Sequence, residues 1–291
     1  MQVISTKDLT KFYGDQVGVK NLNLSVNEGE IFGFVGPNGA GKSTAIRTFL
    51  GLLKPTSGSA SIFGKDIIKN GPTIRQQIGY LPSEVFYYPE MNSREMLEYH
   101  LRFYPEGNHH NINELADFFE LNLDKSIADL SFGNKKKCAI IQCFLHKPKL
   151  LILDEPTSGL DPLMQNRFFE FLQEQNNKGA TVFMSSHILS EIQRMCDRAA
   201  VIKNGEIIAV ETINELLSKQ LKKVTLIFKE APTDVQTPDS FLNKNLHHQK
   251  MTFEFKGQLH ELLSWLNNQP IQDITIEEPD LESIFMNYYQ R

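Results

Sequence analysis

The sequence predicts an α/β protein with a mixed sheet, an antiparallel β subdomain and an α-helical subdomain, followed by a small α+β domain. Three observations indicate this fold class. Short apolar runs alternate with helix-length segments, which favours a sheet whose strands are joined by helices. A glycine-rich loop lies between an apolar strand and a helix near the start. The chain of 291 residues exceeds the length expected of one domain, and its composition changes after about Glu215.

Composition and charge are those of an ordinary globular chain. Hydrophobic residues make up 41% and charged residues 22%, which argues against disorder and against a small disulfide-stapled scaffold. Thirty Lys and Arg residues against 35 Asp and Glu residues give a net charge of −5. Because this balance provides no overall basic field to hold a nucleic-acid backbone, we expect no nucleic-acid partner.

The cysteines and the apolar segments indicate the compartment. Cys138, Cys143 and Cys196 form no CxxC pair and follow no secretory leader, which predicts a reducing compartment and buried, unpaired thiols. No stretch reaches the about 18 apolar residues that a membrane helix needs. We therefore expect a cytoplasmic chain that is soluble or peripheral to a membrane.

The first elements follow from the order of these patterns. Residues 1–32 alternate polar and apolar in short runs, which is typical of antiparallel strands. Ile31–Val35 is an apolar strand, and the loop Gly36–Gly41 follows it. Lys42–Leu53 has helical composition, and the turn residues of Lys54–Gly58 end that helix.

The segment 89–147 is the predicted helical subdomain. Asn92 or Ser93 is placed to cap its first helix, and Ile112–Phe119 is a second helical run. Strand signals then return at Leu150–Leu153, Thr181–Met184 and Ala199–Ile202. Residues 1–215 thus form the predicted first domain.

Residues 216–291 are predicted to form an accessory or regulatory domain. Its signals are a strand at Val224–Phe228, a strand at Met251–Phe255, a helix at Leu259–Leu266, a strand at Ile274–Ile276 and a final helix that opens at Pro279. The final helix places Leu281, Ile284, Phe285 and Tyr288 on one face, which gives the domain an apolar surface to bury.

The strongest chemical signal is a full match to G-x-x-x-x-G-K-[ST] between the apolar strand and its helix. Glycines allow successive backbone N–H groups to face inward at a helix N-terminus, where the dipole favours a phosphate group. Lys42 would reach the β and γ phosphates of ATP, and the Ser43 hydroxyl would bind Mg²⁺. The predicted nucleotide-binding residues of this loop are Gly36, Pro37, Asn38, Gly39, Ala40, Gly41, Lys42, Ser43 and Thr44.

Two adjacent carboxylates follow the strand Leu150–Leu153. Because adjacent residues at a strand end point in different directions, Asp154 is predicted to hold Mg²⁺ and Glu155 to act as the base that polarises water. Taken in isolation, the pair would be better interpreted as an acidic strand end at a turn. The nucleotide loop earlier in the chain favours the catalytic interpretation.

Further motifs occur in the order found in a known family. Lys11–Gly14 resembles an aromatic loop that stacks on adenine, and Leu130–Asn134 resembles the LSGGQ signature. Ser158–Asp161 matches the D-loop, and His187 matches the switch histidine. The predicted first domain therefore resembles the nucleotide-binding subunit of an ATP-binding cassette transporter.

The resemblance implies a P-loop NTPase fold and two copies arranged head to tail, with two ATP molecules between them. Tyr13 would stack on adenine, and His187 would be a catalytic residue, as Glu155 is. Ser131 and Gly133 would contact the γ phosphate of the ATP held by the other copy. The residues themselves leave open whether the signature acts across a dimer, since nothing in its loop forces this. A lone histidine is more often part of a core, but the position of His187 after the strand 182–184, downstream of the carboxylates, favours the functional interpretation.

Two positions depart from the family pattern. Ser83 stands where the family usually has a glutamine that touches Mg²⁺ and the attacking water, and Glu84 follows it. Serine is too short for that contact, and Glu84 would bring a charge. In the signature, Phe132 replaces the first glycine and Asn134 the glutamine, so weaker contacts or slower closure are expected.

Two other segments have more than one interpretation. Lys135–Lys137 is expected to be a solvated face, with a lipid or nucleotide contact as the alternative. Phe86–Tyr88 is either part of the core or, as the resemblance implies, the region that meets the membrane subunit.

The predicted function is ATP hydrolysis that powers a transporter whose membrane-spanning subunit is a separate chain. This chain would then lie peripherally on the cytoplasmic face of the cell membrane. Its single cassette and the tail at 274–285 resemble exporters of drugs, bacteriocins and peptides. The alternatives are an importer ATPase and a soluble cassette protein that acts on ribosomes or DNA, although the latter would normally show two cassettes or a long coiled coil.

Overall fold

The computed structural model describes residues 1–104, 110–218, 222–232, 235–255 and 257–277. The chain divides into two units, Met1–Ile213 and the part that begins at Asn214. The first unit contains two sheets and the second contains one, and each unit has its own hydrophobic core.

The first unit contains the predicted elements in the predicted order, together with strands and helices that the sequence analysis did not predict. The strands are β1 Gln2–Tyr13, β2 Gln16–Leu22, β3 Ser25–Asn27, β4 Ile31–Val35, β5 Ser57–Ile62, β6 Lys65–Asp66, β7 Ile78–Leu81, β8 Leu150–Asp154, β9 Thr181–Ser186, β10 Arg198–Lys203 and β11 Glu206–Thr212. The helices are α1 Lys42–Phe49, α2 Gly71–Arg75, α3 Ser93–Leu101, α4 Ile112–Phe118, α5 Phe132–Phe144, α6 Pro162–Asn177 and α7 Leu189–Met195.

A six-stranded sheet in the order β11-β10-β4-β9-β8-β7 forms the centre of the first unit. Neighbouring strands from β10 to β7 are parallel, whereas β11 is antiparallel to β10, so the predicted mixed sheet is confirmed. Strands β4, β8 and β9 are buried along their whole length, which explains their continuous apolar sequences. In the core, Phe183 stacks on Phe32 and packs against Phe34 and Phe49.

The parallel strands bring separate loops to one edge of this sheet. Since parallel strands end on the same side, the segments after β4, β7, β8 and β9 meet there. These segments carry the glycine-rich loop, Ser83, Glu155 and His187. This edge therefore holds the candidate site.

The start of the chain forms the predicted antiparallel sheet, in the order β2-β1-β5-β6 with β3 paired to β1. Tyr13 at the end of β1 pairs with Gln16 of β2. This turn brings the aromatic ring to the cavity that the glycine-rich loop also lines.

The predicted helical subdomain contains α3, α4 and α5. Asn92 rather than Ser93 caps α3, because its side chain accepts the Glu95 N–H while the Glu95 carboxylate accepts the Asn92 N–H, both at 2.9 Å. In α1 the predicted end was too late: the helix ends at Phe49, and Gly51 turns the chain with a φ of +67°. Within the described part of the chain, no helix is both long enough and apolar enough to cross a membrane.

The second unit has a four-stranded antiparallel sheet in the order β13-β14-β12-β15. Its elements are α8 Ile213–Ser218, which spans the boundary, β12 Lys222–Phe228, β13 Phe241–His247, β14 Lys250–Phe255, α9 Leu259–Leu266 and β15 Ile271–Glu277. Its core includes Phe228, Phe241, Phe253 and Leu262. The final helix expected after Pro279 lies outside the described residues.

Candidate functional site

The glycine-rich loop joins β4 to α1, and residues of the loop and of the first turn of α1 line a cavity. Gly39 and Gly41 have φ angles of +79° and +105°, which only glycine adopts readily. A Cβ atom at Gly41 would lie 2.3 Å from the carbonyl oxygen of Gly18, so a side chain is excluded there. The helix N-terminus thus offers backbone N–H groups to a phosphate.

The cavity has a volume of about 370 Å³. The predicted residues that line it are Tyr13, Asn38, Gly39, Gly41, Lys42, Ser43, Thr44 and Glu155. Three predicted residues of the glycine-rich loop do not line it: Gly36 and Pro37 direct their carbonyl oxygens at Lys42, and Ala40 is buried in the core. Asp154 and His187 are also absent from the lining. Tyr13 is half exposed, which leaves its ring available for stacking.

Lys42 is buried, and its ammonium lies between the loop and the carboxylate edge. The Nζ atom donates to the carbonyl oxygens of Gly36 at 2.7 Å and Pro37 at 3.2 Å. It also lies 3.4 Å from Oε1 of Glu155. This position brings one positive charge to the place where phosphate charge would be bound.

Asp154 ends the buried strand β8 and is itself fully buried. Its Oδ1 accepts the Ser185 hydroxyl at 2.6 Å. Its Oδ2 has no hydrogen-bond partner in the described chain, although an unpaired buried carboxylate oxygen is costly. Carboxylate and hydroxyl oxygens, such as this one and that of Ser43 in the cavity lining, are of the hard type that Mg²⁺ prefers.

Glu155 has a φ of +47°, a conformation that non-glycine residues seldom adopt. Its N–H is 3.2 Å from both the carbonyl and the hydroxyl oxygen of Ser185. The carboxylate is directed at the cavity, where Oε1 lies 3.2 Å from Nδ1 of His187. The structure therefore brings Glu155, His187 and Lys42 together, although they come from three different segments.

Glu191 connects the loops that carry Glu155 and His187, and the sequence analysis missed it. Its carboxylate is buried and accepts the Thr157 hydroxyl at 2.5 Å and the Ser186 hydroxyl at 2.8 Å. The residue is one acid among many on amphipathic helices. The one sequence feature that relates Glu191 to the site is its distance of four residues from His187, and that distance alone does not predict a contact.

The signature loop is not part of the cavity that this chain forms. The hydroxyl of Ser131 accepts the Asn134 N–H at 3.3 Å and caps α5. Gly133 packs against the D-loop, since a Cβ there would lie 3.0 Å from the carbonyl oxygen of Gly159. The exposed ring of Phe132 also covers Gly159. The cavity is thus lined without Ser131 and Gly133.

The expectation that all three lysines after the signature are solvated was wrong for Lys136. Its side chain is only 1% exposed. The ammonium donates to the carbonyl oxygens of Pro82, Ser83 and Glu155. Successive helical residues point about 100° apart, so three lysines in a row cannot share one face.

The aromatic run Phe86–Tyr88 is only partly core. Phe86 is 86% exposed, whereas the Tyr87 hydroxyl donates to Gln142 at 3.0 Å. Phe86 and Tyr87 line a second cavity of about 340 Å³, together with Met96 and other mainly apolar residues. An exposed aromatic residue beside an apolar cavity is typical of an interaction surface.

Comparison with known proteins agrees with this geometry. Residues 19–158 match the family described as ABC transporter. The bacitracin transport ATP-binding protein BcrA of Bacillus licheniformis is 39% identical over 225 residues, which cover 76% of this chain and 73% of BcrA. The linearmycin resistance ATP-binding protein LnrL of Bacillus subtilis (strain 168) is 32% identical over 98% of this chain and 97% of LnrL.

Solved structures show the same fold. The structure of an ATP-binding subunit of an ABC transporter has a TM-score of 0.70 and 33% identity, over 75% of this chain and 92% of that one. The ATP-binding cassette MJ0796, solved as a dimer in a post-hydrolysis state with ADP and Pi, has a TM-score of 0.66 and 26% identity, over 72% of this chain and 98% of that one. These similarities, over nearly the whole chain in one case, show that the chain belongs to the ATP-binding cassette transporter family, as an ATPase subunit that powers a transporter.

Proposed function

We propose that this chain powers the export of a peptide antibiotic, another peptide or a drug through a separate membrane-spanning subunit. The observation that carries the proposal is the match to the linearmycin resistance protein, which spans 98% of this chain and so extends through the second unit. The match to the bacitracin transport protein, which covers 76% of this chain, supports an antibiotic as the exported substrate.

ATP would bind in the cavity of the glycine-rich loop. The N-terminus of α1 and the Lys42 ammonium would bind its phosphates, and the half-exposed ring of Tyr13 would stack on adenine. Ser43 and Asp154 would hold Mg²⁺, which when bound neutralises the charge of the phosphates.

Glu155 would act as the base. Its carboxylate faces the cavity and is only about one-fifth exposed, so a water beside it can lose a proton to Oε1. His187, 3.2 Å from the same oxygen, would orient the carboxylate and the γ phosphate. Lys42 would stabilise the charge that develops on the phosphate.

A second copy of the chain, arranged head to tail, would complete each site. Ser131 and Gly133 stand at the N-terminus of α5, where a hydroxyl and backbone N–H groups can bind a γ phosphate, yet they are absent from the chain's own cavity. The ATP held by one copy would therefore meet the signature of the other.

The membrane subunit would dock on the surface around Phe86 and its apolar cavity. The exposed ring gives the large apolar contact area that anchors protein interfaces. The chain would thereby be held peripherally on the cytoplasmic face of the cell membrane.

Purification of the tagged chain from membranes tests the proposal. We expect an integral membrane protein to co-purify, and the ATPase rate of the complex to rise with one of a panel of peptide antibiotics, other peptides and drugs. The double variant Phe86→Ala/Tyr88→Ala removes two exposed aromatic rings, so it should weaken association by about 2 to 4 kcal/mol without changing ATP affinity. Val210→Ala, a change at an exposed apolar residue of β11, is the matched control. Co-purification of ribosomes or DNA without any membrane protein would contradict the proposal.

A further inference from the structure

Lys136 is a buried ammonium group that none of the proposed steps uses. Its Nζ atom donates to the carbonyl oxygens of Pro82 at 3.1 Å, Ser83 at 3.4 Å and Glu155 at 3.1 Å. These three bonds match the three N–H donors of an ammonium group. Because all three N–H groups of the ammonium are hydrogen-bonded, Lys136 connects the segments that carry these carbonyl groups.

The three carbonyl groups belong to different parts of the site. Pro82 and Ser83 lie in the loop after β7, whereas Glu155 follows β8. Lys136 itself stands in α5, the helix that Ser131 caps. One side chain therefore joins the signature helix, the loop after β7 and the residue proposed as the base.

The positive charge of Lys136 is destabilised by burial. Burial lowers the pKa of the ammonium to about 8, while the nearby carboxylates of Asp154 and Glu155 oppose that shift. Lys135 and Lys137 on the same helix turn remain partly exposed. A buried charge of this kind is tolerated only where its hydrogen bonds are made.

The hydrogen bond from Lys136 is accepted by a residue whose backbone conformation is strained, Glu155. The left-handed conformation of Glu155 persists only where its surroundings hold it. Its N–H is held by Ser185, and its carbonyl oxygen accepts Lys136 and, at 3.3 Å, the Ser158 N–H. Lys136 thus provides the shorter of the two bonds that fix the carbonyl side.

We propose that Lys136 is a positioning residue for ATP hydrolysis, which holds the backbone of Glu155 so that its carboxylate faces the cavity, and which ties this conformation to α5 and to the loop after β7. The proposal rests on the role of Glu155 as the base. Lys136 is not among the residues that line the nucleotide cavity, so we expect ATP affinity to be independent of it.

Steady-state ATPase assays of Lys136→Met in the full chain, with ATP affinity measured in parallel, test this role. We expect kcat to fall by about 10- to 100-fold, since a small misplacement of a catalytic group has that effect. The dissociation constant of a fluorescent ATP analogue should stay within about twofold of the wild-type value. Lys137→Met is the matched control, since its ammonium donates to the Glu120 carbonyl at 3.5 Å and to none of the three carbonyl groups that Lys136 contacts.

A double-mutant cycle separates positioning from a general structural role. In the Glu155→Gln background, where no base remains to be placed, Lys136→Met should change the residual single-turnover rate by less than about twofold. An equal fold-loss in both backgrounds, or a normal kcat in Lys136→Met, would overturn the proposal. If Lys136→Met does not bind ATP, Lys136→Gln, which keeps two donors, replaces it, and loss of binding there too would assign the residue a structural role. Normal turnover in Glu155→Gln alone would instead refute the base assignment, and the Lys136 proposal with it.

Discussion

At the residue scale, the 3.4 Å contact between Lys42 and Glu155 joins two groups with different tasks. Lys42→Ala removes the charge that meets phosphate, so ATP affinity should fall. Glu155→Gln keeps the size of the side chain but removes the base, so ATP should still bind while turnover falls by ~10² to 10⁴. Nucleotide titration and steady-state ATPase rates measure both, with Glu170→Gln on the exposed face of α6 as the control. Turnover close to the wild-type rate in Glu155→Gln would refute the assignment.

The cysteines provide a second residue-scale prediction. All three are free and buried, as expected from the sequence, and burial raises the pKa of Cys138 to about 11 and the pKa of Cys143 and Cys196 above the usual range. Because the thiolate is the reactive form, a thiol reagent at pH 8 should label none of them in the native chain and all three after denaturation. Mass spectrometry counts the labels. Rapid labelling of the native chain would show that a cysteine is accessible.

The residues that sequence reasoning found and missed differ in a physical way. Lys42 belongs to a motif whose local backbone conformation places the lysine at the nucleotide cavity. Lys136 and Glu191 act through contacts with segments distant in the chain, and no local pattern encodes those contacts. A sequence therefore predicts groups placed by one loop better than groups placed by packing.

At the scale of elements, α5 presents the signature loop away from the chain's own nucleotide cavity. A dimer with Lys42→Ala in one copy and Ser131→Arg in the other would carry both changes in one composite site and leave the second intact. We therefore expect one ATP to be occluded in each such dimer. A dimer of one doubly changed copy and one unchanged copy should have no intact site, because each composite site then contains one change. Quantification of trapped nucleotide distinguishes the two kinds of dimer. Trapped ATP in the dimer with one unchanged copy, and none in the dimer with one change in each copy, would show that the signature acts within its own chain.

The strands differ in how well their sequences predict them. β4, β8 and β9 are buried on both faces, so their apolar runs predicted them directly. β13 was missed because only Phe241 at its start is buried and the rest of the strand is exposed. Its place in the sheet comes from backbone pairing with β14, which leaves no apolar alternation in the sequence.

At the scale of the whole molecule, the two units carry different kinds of residue. The first contains every predicted phosphate, metal and base residue, from Tyr13 to His187. The second has its own core around Phe241 and Phe253, whose rings stack at 4.1 Å. Such a core allows the second unit to be removed without opening that of the first. We therefore propose that the second unit regulates the ATPase or its dimerisation.

Truncation after Ser218 tests this division of roles. The shortened chain keeps the whole of the first unit, which ends at Ile213, so ATP should bind with nearly unchanged affinity. If the second unit regulates, dimerisation or the stimulation of ATPase by the membrane subunit should change. Nucleotide titration, analytical ultracentrifugation and ATPase assays of the assembled transporter measure these three properties, with the full-length chain as the reference. A truncated chain that is folded by circular dichroism but fails to bind ATP would show that the second unit contributes to the site, and unchanged behaviour in all three assays would remove the regulatory role.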